Sequence, residues 1–400
     1  MAFNGRKYAA ALKIQSAVDT PATIATPADT LICYDLRPSA ETYTLANPEA
    51  TGTVDRPGDA VTGRSRSVSF NVILRGPGGA SPPSVDTFVL GRLLRMMRFA
   101  ETSQATDALT AAAMSGGTTT TAVFPAAAVG TDDAYNGLCA ILAGQAGTGL
   151  KKVSMIRDYV GGTKVGTFME TFGGALSGNI QIPPYLGYLY SASAPELWAS
   201  FDYWLDKKRY KMVNAVVSSA QLNFQVSNNG DTAFTYLSVT LSGDVHPTTP
   251  ELDEVSPTVA QGGAIPVFND ADYWLGAKSF CGSGATVDFQ IQTARAPCPG
   301  SASGGEAQTV VEVKRMATVN VNEVLVATAD LNVLAAAQGY QGLWLQYGQG
   351  GAGKCISFGI MDARLAFSEA EIGGDFVTRS VNLMIDGIDK SMSIQFPYGF

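Results

Sequence analysis

The sequence predicts a mainly β protein with flanking helices, built as two tandem β-sandwich or barrel units. Three observations carry that prediction. Apolar and polar residues alternate at strand period along much of the chain. One hairpin pattern occurs twice, at 220–243 and 363–387. An acidic, Pro/Gly/Thr-rich stretch at 246–264 separates the copies, which places units at 1–250 and 251–400.

The repeated hairpin is the strongest of the three. Ala220, Leu222 and Phe224 match Ala363, Leu365 and Phe367. Gly230-Asp231 matches Gly374-Asp375 after one extra residue. Leu237, Val239, Leu241 and Gly243 then match Val381, Leu383, Ile385 and Gly387. A slip of one residue would turn every apolar side chain outward, so the shared register points to an internal duplication. Upstream, Arg66–Val72 matches Arg315–Val321. The tetrapeptide Asp-Tyr-Trp-Leu also recurs, at 202–205 and 272–275, but out of phase with these matches.

In chain order, residues 1–30 read as an extended Thr/Ala/Pro-rich arm and Leu31–Leu36 as a short strand. Residues 37–64, with Pro38, Pro48, Pro57-Gly58 and Gly63, read as a long polar loop. Arg66–Leu74 is a strand ended by Gly76-Pro77-Gly78-Gly79. Ser84 caps a helix to about Ala100, with Val85, Phe88, Val89, Leu93, Met96 and Ala100 inward. Arg92, Arg95 and Arg98 of that helix read as a solvated or subunit-facing edge. Residues 101–150 form an insert, with a short helix near Asp133–Leu142. Lys152–Thr171 reads as two strands around Gly161-Gly162. Pro195–Lys208 reads as a second helix, and Asp330–Gln338 as the later counterpart of the first. Phe396–Phe400 is an aromatic tail.

Composition narrows the class. At 400 residues the chain exceeds one ordinary core. Hydrophobic content is 46% and charged content only 16%, which suits a surface buried against other subunits. The net charge of −8 falls entirely in 251–400, and neither half carries the basic stripe that tight nucleic-acid binding needs. The five cysteines are scattered without a CxxC pair, which suits free thiols; a Cys281–Cys298 bridge stays open. No signal-peptide pattern or membrane-length apolar run occurs, so the chain is expected to be cytosolic when made.

No motif supports an enzyme, a cofactor or a metal. Gly348–Lys354 fits G-x-x-x-x-G-K, but Cys355 stands where a phosphate loop needs Ser or Thr for magnesium. Strand-like residues follow it, not a helix. The one histidine, His246, precedes Pro247 in the linker, a poor place for a base. Asp132-Asp133 and Asp270/Asp272 read as acidic turns.

The outward strand faces are almost free of charge. They carry Gln221, Asn223, Gln225 and Ser227, then Tyr236, Ser238, Thr240 and Ser242, with Ser67, Ser69 and Asn71 on the early strand and Thr318, Asn320 and Asn322 on its later copy. An ordinary wet sheet face is one reading. A channel wall is the other, since a wall along which a polyanion slides avoids Lys and Arg clusters.

These features resemble the tail tube (major tail) proteins of long-tailed bacteriophages. The carriers are the Val18–Ala28 lead-in, the Thr62–Gly76 strand, the helix after it and the Leu222–Gly243 hairpin. The resemblance implies two tail-tube-like units that join their neighbours into a continuous β-barrel. It implies stacked rings, hollow for the genome's passage into the host, in the virion tail assembled in the host cytoplasm. A chain with the fold twice would form a pseudo-sixfold homotrimer. Partners would be further copies, tape-measure and tail-end proteins, and passing double-stranded DNA held without tight binding. Arg37, Glu41, Asp55, Arg56, Asp59 and Arg64 become ring-to-ring contacts, and Ser67, Ser69, Asn71, Gln221, Asn223, Gln225, Thr318, Asn320 and Asn322 the lumen face. The alternatives are another phage structural β-protein, in a baseplate or on a capsid, or a carbohydrate-binding adhesin stacking sugars on Trp198, Tyr203, Trp204 and Trp274.

Overall fold

Val68, Phe70 and Val72 are buried while Ser67, Ser69 and Asn71 between them are half-exposed, as a strand with one core face requires. The computed structural model describes residues 7–47, 58–143, 153–225, 235–259, 263, 265, 272–279, 282–297, 306–313, 318–324, 339–348, 354–366, 369–373, 376–385 and 390–398. Among these the fold is mainly β, with one α-helix, α1 (Val89–Met96).

The first half opens with β1 (Tyr8–Ile14), β2 (Thr30–Leu31), β3 (Tyr34–Leu45) and β4 (Ala60–Ile73), and β5 (Phe99–Gln104) follows α1. An inserted run comes next: β6 (Leu109–Ala113), β7 (Gly116–Gly117), β8 (Thr121–Val123), β9 (Cys139–Ala143), β10 (Val153–Val160), β11 (Val165–Phe168) and β12 (Asn179–Ile182). It forms its own seven-stranded sheet, ordered β6-β12-β9-β10-β11-β8-β7. The half closes with β13 (Tyr185–Tyr190), β14 (Ala199–Leu205), β15 (Lys208–Gln225), β16 (Tyr236–Val245) and β17 (Glu251–Asp253).

The second half holds β18 (Asp272–Leu275), β19 (Lys278–Ser279), β20 (Gly282–Asp288), β21 (Ile291–Pro297), β22 (Glu306–Val313) and β23 (Thr318–Val324). It ends with β24 (Tyr340–Tyr347), β25 (Ile356–Ala366), β26 (Ala370–Gly373), β27 (Phe376–Ile385) and β28 (Met392–Pro397).

The halves pair their strands in the same order, all antiparallel. In the first, β3 pairs β4, β4 pairs β16, β16 pairs β15, β15 pairs β14 and β14 pairs β1. In the second, β20 pairs β23, β23 pairs β27, β27 pairs β25, β25 pairs β24 and β24 pairs β18. The side pairs match as well: β1–β2 with β18–β19, and β15–β17 with β25–β28. Phe70 faces Val239 and Val72 faces Leu237, while the sequence-matched Val319 faces Leu383 and Val321 faces Val381. The hairpins differ: Leu222 faces Leu237, but Leu365 faces Leu383, two residues further along. A shift of two keeps the same face buried.

One apolar cluster spans both halves, taking Phe70, Leu222 and Leu237 together with Phe358, Leu383 and Ile394. The inserted sheet has a second core around Phe124, Tyr159 and Phe168. A third cluster, with Met155, Trp274 and Trp344, packs the insert against the second half.

Several sequence expectations are corrected. The arm read at 1–30 includes β1, whose Ala10, Ala11 and Leu12 are fully buried beside β14. Asp19 then ties the chain to the sheet through Asn214, at 2.8 and 2.6 Å. Among the described residues, the loop read at 37–64 holds the paired arms of β3 and β4; side chains exposed on both faces of β3 hid its period. The helix is shorter than 84–100, because Asp86 and Arg98 hold left-handed φ angles of 68° and 67°. Arg92 is no surface edge: it is buried and donates to Asp29 at 2.8 Å and to the Leu12 carbonyl at 2.6 Å.

The helix read at 195–208 is β14, buried on both faces; a fully buried strand cannot be told from a helix by periodicity. The helix read at 133–142 is a turn followed by β9. The insert runs beyond 150 to Ile182, and the two strands read around Gly161-Gly162 are β10 and β11. The boundary at 250/251 falls at β17, which pairs back onto β15. The aromatic tail begins as β28, with Phe396 and Tyr398 buried. The helix read at 330–338 and the Cys281–Cys298 pairing lie outside the described residues.

Candidate functional site

In antiparallel pairs, residues directly opposite share a face, so register decides which side chains stand together. One row runs Asn71, Ser238, Gln221, Asp288, Thr318, Met384 across β4, β16, β15, β20, β23 and β27. The next runs Ile73, Tyr236, Asn223, Thr286, Asn320, Asn382. A shorter row runs Gln225, Gly284, Asn322, Ser380. Ser69 faces Thr240 and Ser67 faces Ser242 at the first-half end.

All nine residues expected on a lumen face therefore occupy register positions of one surface. That surface crosses from the first half to the second at the β15–β20 pair without interruption. Asp288 is the charge within these rows, and the ladder sets Arg364 opposite Met384 and Arg37 opposite Ser69 on the same face. Sequence reading missed Thr286 and Asp288, although Gly284, Thr286 and Asp288 alternate with buried Ala285 and Val287.

The face satisfies much of its own hydrogen bonding. Ser69 and Thr240 share a hydroxyl bond of 2.9 Å. Thr286 donates to Asn223, and Asn223 to Gln221, each at 3.4 Å. Tyr34 packs edge-on to Tyr236, with ring centroids 6.1 Å apart. Burial, then Tyr236 and Asp35 beside it, push the Tyr34 phenol up to about 12. The amides and hydroxyls at the centre of the face, already bonded to one another, wet easily, and the cations that share it, Arg37 and Arg364, stand at its two ends.

The expected ring-to-ring residues divide. Arg37, Glu41, Asp59 and Arg64 are exposed on the β3/β4 hairpin or at its tip, with Glu41 and Arg64 near one another across the ladder. Asp55 and Arg56 lie outside the described residues.

The motifs that tempt toward chemistry have structural roles. β24 and β25 pair antiparallel across the Gly348–Lys354 stretch, so a strand follows it, where a phosphate loop needs a helix N-terminus. His246 Nδ1 accepts from the Thr249 N–H at 3.2 Å within a turn, and burial, then Lys211, lower its pKa. Asp132 accepts from the Gly161 N–H at 2.7 Å and Asp133 from Asn136 at 2.8 Å, both as turn locks. No metal-binding cluster occurs among the described residues. A cleft of about 350 Å³ between α1 and the end of β4 is lined by Leu31, Val72, Arg75 and Phe88, with no carboxylate, imidazole or thiol in its wall. No helix among the described residues is long and apolar enough to cross a membrane.

No protein-family model matches the chain, and no curated protein matches it.

Proposed function

We propose that the chain is a structural subunit of a hollow tube of the phage-tail kind, with each half serving as one tube unit. The observation that carries this reading is the polar, sparsely charged surface that runs across the β15–β20 pair between the halves, with Asp288 its one acid at that pair. A wall that guides DNA gains from hydration and loses from fixed cations, because each phosphate neutralised by Lys or Arg adds affinity and slows sliding. The matched pairing order supports a unit used twice per chain. Three chains then supply six units to a ring, and stacked rings form the tube in a virion tail.

The exposed hairpin bearing Arg37, Glu41, Asp59 and Arg64 is the contact to the next ring. Ion pairs of exposed side chains contribute little each, so they set register between rings more than strength. Tape-measure and tail-end proteins are the further partners of such a tube.

The sugar-binding alternative loses its main support. Trp204 is fully buried, and Tyr203 and Trp274 are 4% and 3% exposed, so of the four aromatics Trp198 alone, half-buried, reaches the surface. A baseplate or capsid role shares the β architecture and is separated by assembly behaviour.

Mass photometry over a concentration series tests the ring. The expected result is a species of three 41.8 kDa chains and larger species in multiples of it. A closed dimer or a concentration-independent monomer would contradict the reading.

A further inference from the structure

β2, the end of β4 and the start of α1 meet around the cleft of about 350 Å³. Its floor is Leu31, Val72 and Leu90, each buried in the main core. The rest of the wall is aliphatic or aromatic, apart from Thr30, Thr87 and Arg75. The two threonines bond locally: Thr30 donates to the Pro27 carbonyl at 2.6 Å and Thr87 to that of Ser84 at 2.5 Å.

Arg75 is different. It is half-buried, and among the described residues its guanidinium has no hydrogen-bond or ion-pair partner. The acids that flank the cleft-lining segments in sequence are engaged elsewhere. Asp29 accepts from Arg92 at 2.8 Å and from the Ala25 N–H at 2.7 Å, and Asp86 accepts from Arg95 at 2.7 Å. Burial lowers the Arg75 pKa from its ordinary value, as expected of a charge that loses water without gaining an acid. The duplicated frame does not call for this arginine. Carrying the match of Arg66–Val72 with Arg315–Val321 onward puts Asn322 at the place of Ile73 and Val324 at that of Arg75.

We propose that this cleft binds a small carboxylic acid with an apolar body, its carboxylate held by Arg75 and its body against Leu31, Val72, Phe88 and Leu90. Ligand pockets are mostly apolar, carry a few polar groups that fix orientation, and start at about 300 Å³. An apolar wall gains by exchanging water for an apolar body. A guanidinium matches a planar carboxylate through paired N–H bonds. One cation, with both wall hydroxyls already committed, suits one negative charge, which favours a carboxylate over a phosphate. α1 also begins in this wall without a side-chain cap or an acid in its first turn, which adds to the positive potential. The site is independent of the tube reading: a chain that never assembles would still hold it.

Isothermal titration calorimetry of the full-length chain, at one protein concentration, tests the site with octanoate as the probe and octanol as its uncharged twin. The expected result is saturable one-site binding of octanoate below its micellar range, with octanol about tenfold weaker, the worth of a hydrogen-bonded charge. Arg75→Gln is expected to weaken octanoate by about the same factor and to leave octanol unchanged. Arg75→Lys is expected to keep part of the preference for the anion. Ala28 lines the cleft and is exposed, so Ala28→Trp obstructs it without entering the core, and is expected to abolish binding of both probes. Circular dichroism checks that each variant is folded. No saturable binding by the unmodified protein overturns the proposal. Equal affinity for octanoate and octanol overturns it too, as does an Arg75→Gln chain that still prefers the anion. Octanoate bound undiminished by the Ala28→Trp chain lies elsewhere, and overturns the site.

Discussion

Arg92 shows what one buried charge demands. Its side chain is 7% exposed and that of Asp29 5%, and the guanidinium also donates to the Leu12 and Asp86 carbonyls. It fastens α1 to the N-terminal strand region. Removing one partner leaves an uncompensated buried charge, which costs about 3–5 kcal/mol. Arg92→Ala and Asp29→Ala are each expected to lower stability by that order in urea unfolding, and Arg92→Met/Asp29→Leu to recover part of it. The arginine looked like surface because its stripe position is polar; its acid partner lies 63 residues away in sequence. Buried phenols set the alkaline limit. Tyr203, Tyr273 and Tyr398 are pushed up to about 12, chiefly by burial, from an ordinary value of 10. A raised folded value contributes stability that is complete below pH 10 and is lost as pH rises toward 12. Ionisation of these three phenols is therefore expected as a late step in tyrosinate absorbance that coincides with loss of near-ultraviolet dichroism.

β15 carries opposite fates on neighbouring residues. Leu222 is fully buried, whereas Gln221 is half-exposed in the polar row. Leu222→Ala is expected to cost about 2–5 kcal/mol, and Gln221→Ala to stay within about 0.5 kcal/mol, both read by denaturant midpoint. α1 offers a contest of two effects. Helix propensity alone favours Gly91→Ala by about 0.5–1 kcal/mol. A Cβ at Gly91 would fall against the Tyr188 ring, whose hydroxyl donates to Glu101 at 2.8 Å. The clash is expected to win and lower the melting temperature. At this scale the half-buried strands were legible, because Val68, Phe70 and Val72 against Ser67, Ser69 and Asn71 show period two. β14 was not, because burial on both faces erases the period and Leu197, Phe201, Trp204 and Leu205 mimic a helical stripe. β3 was not, because exposure on both faces does the same from the polar side.

For the whole molecule, residue matches between the halves were legible, and the registers pair Phe70 with Val239 as Val319 with Leu383, while the matched hairpins differ by two residues. The polar face was legible strand by strand. Its continuity was not, since the β15–β20 pair joins residues as far apart in sequence as Gln221 and Asp288. The inserted sheet stayed hidden because its strands are short and Ala/Thr-rich. The sparsely charged face makes a prediction about DNA. Chains carrying Asn71→Lys, Gln221→Lys and Asn382→Lys together are expected to retain double-stranded DNA at low salt and release it steeply as salt rises. The unmodified protein is expected to retain none in the same filter-binding assay.

The most direct test of the central claim is negative-stain electron microscopy of the purified protein across a concentration series. The account predicts hollow tubes, or rings with an open centre that stack as concentration rises. A monomer at every concentration, or compact particles without a central channel, would contradict it.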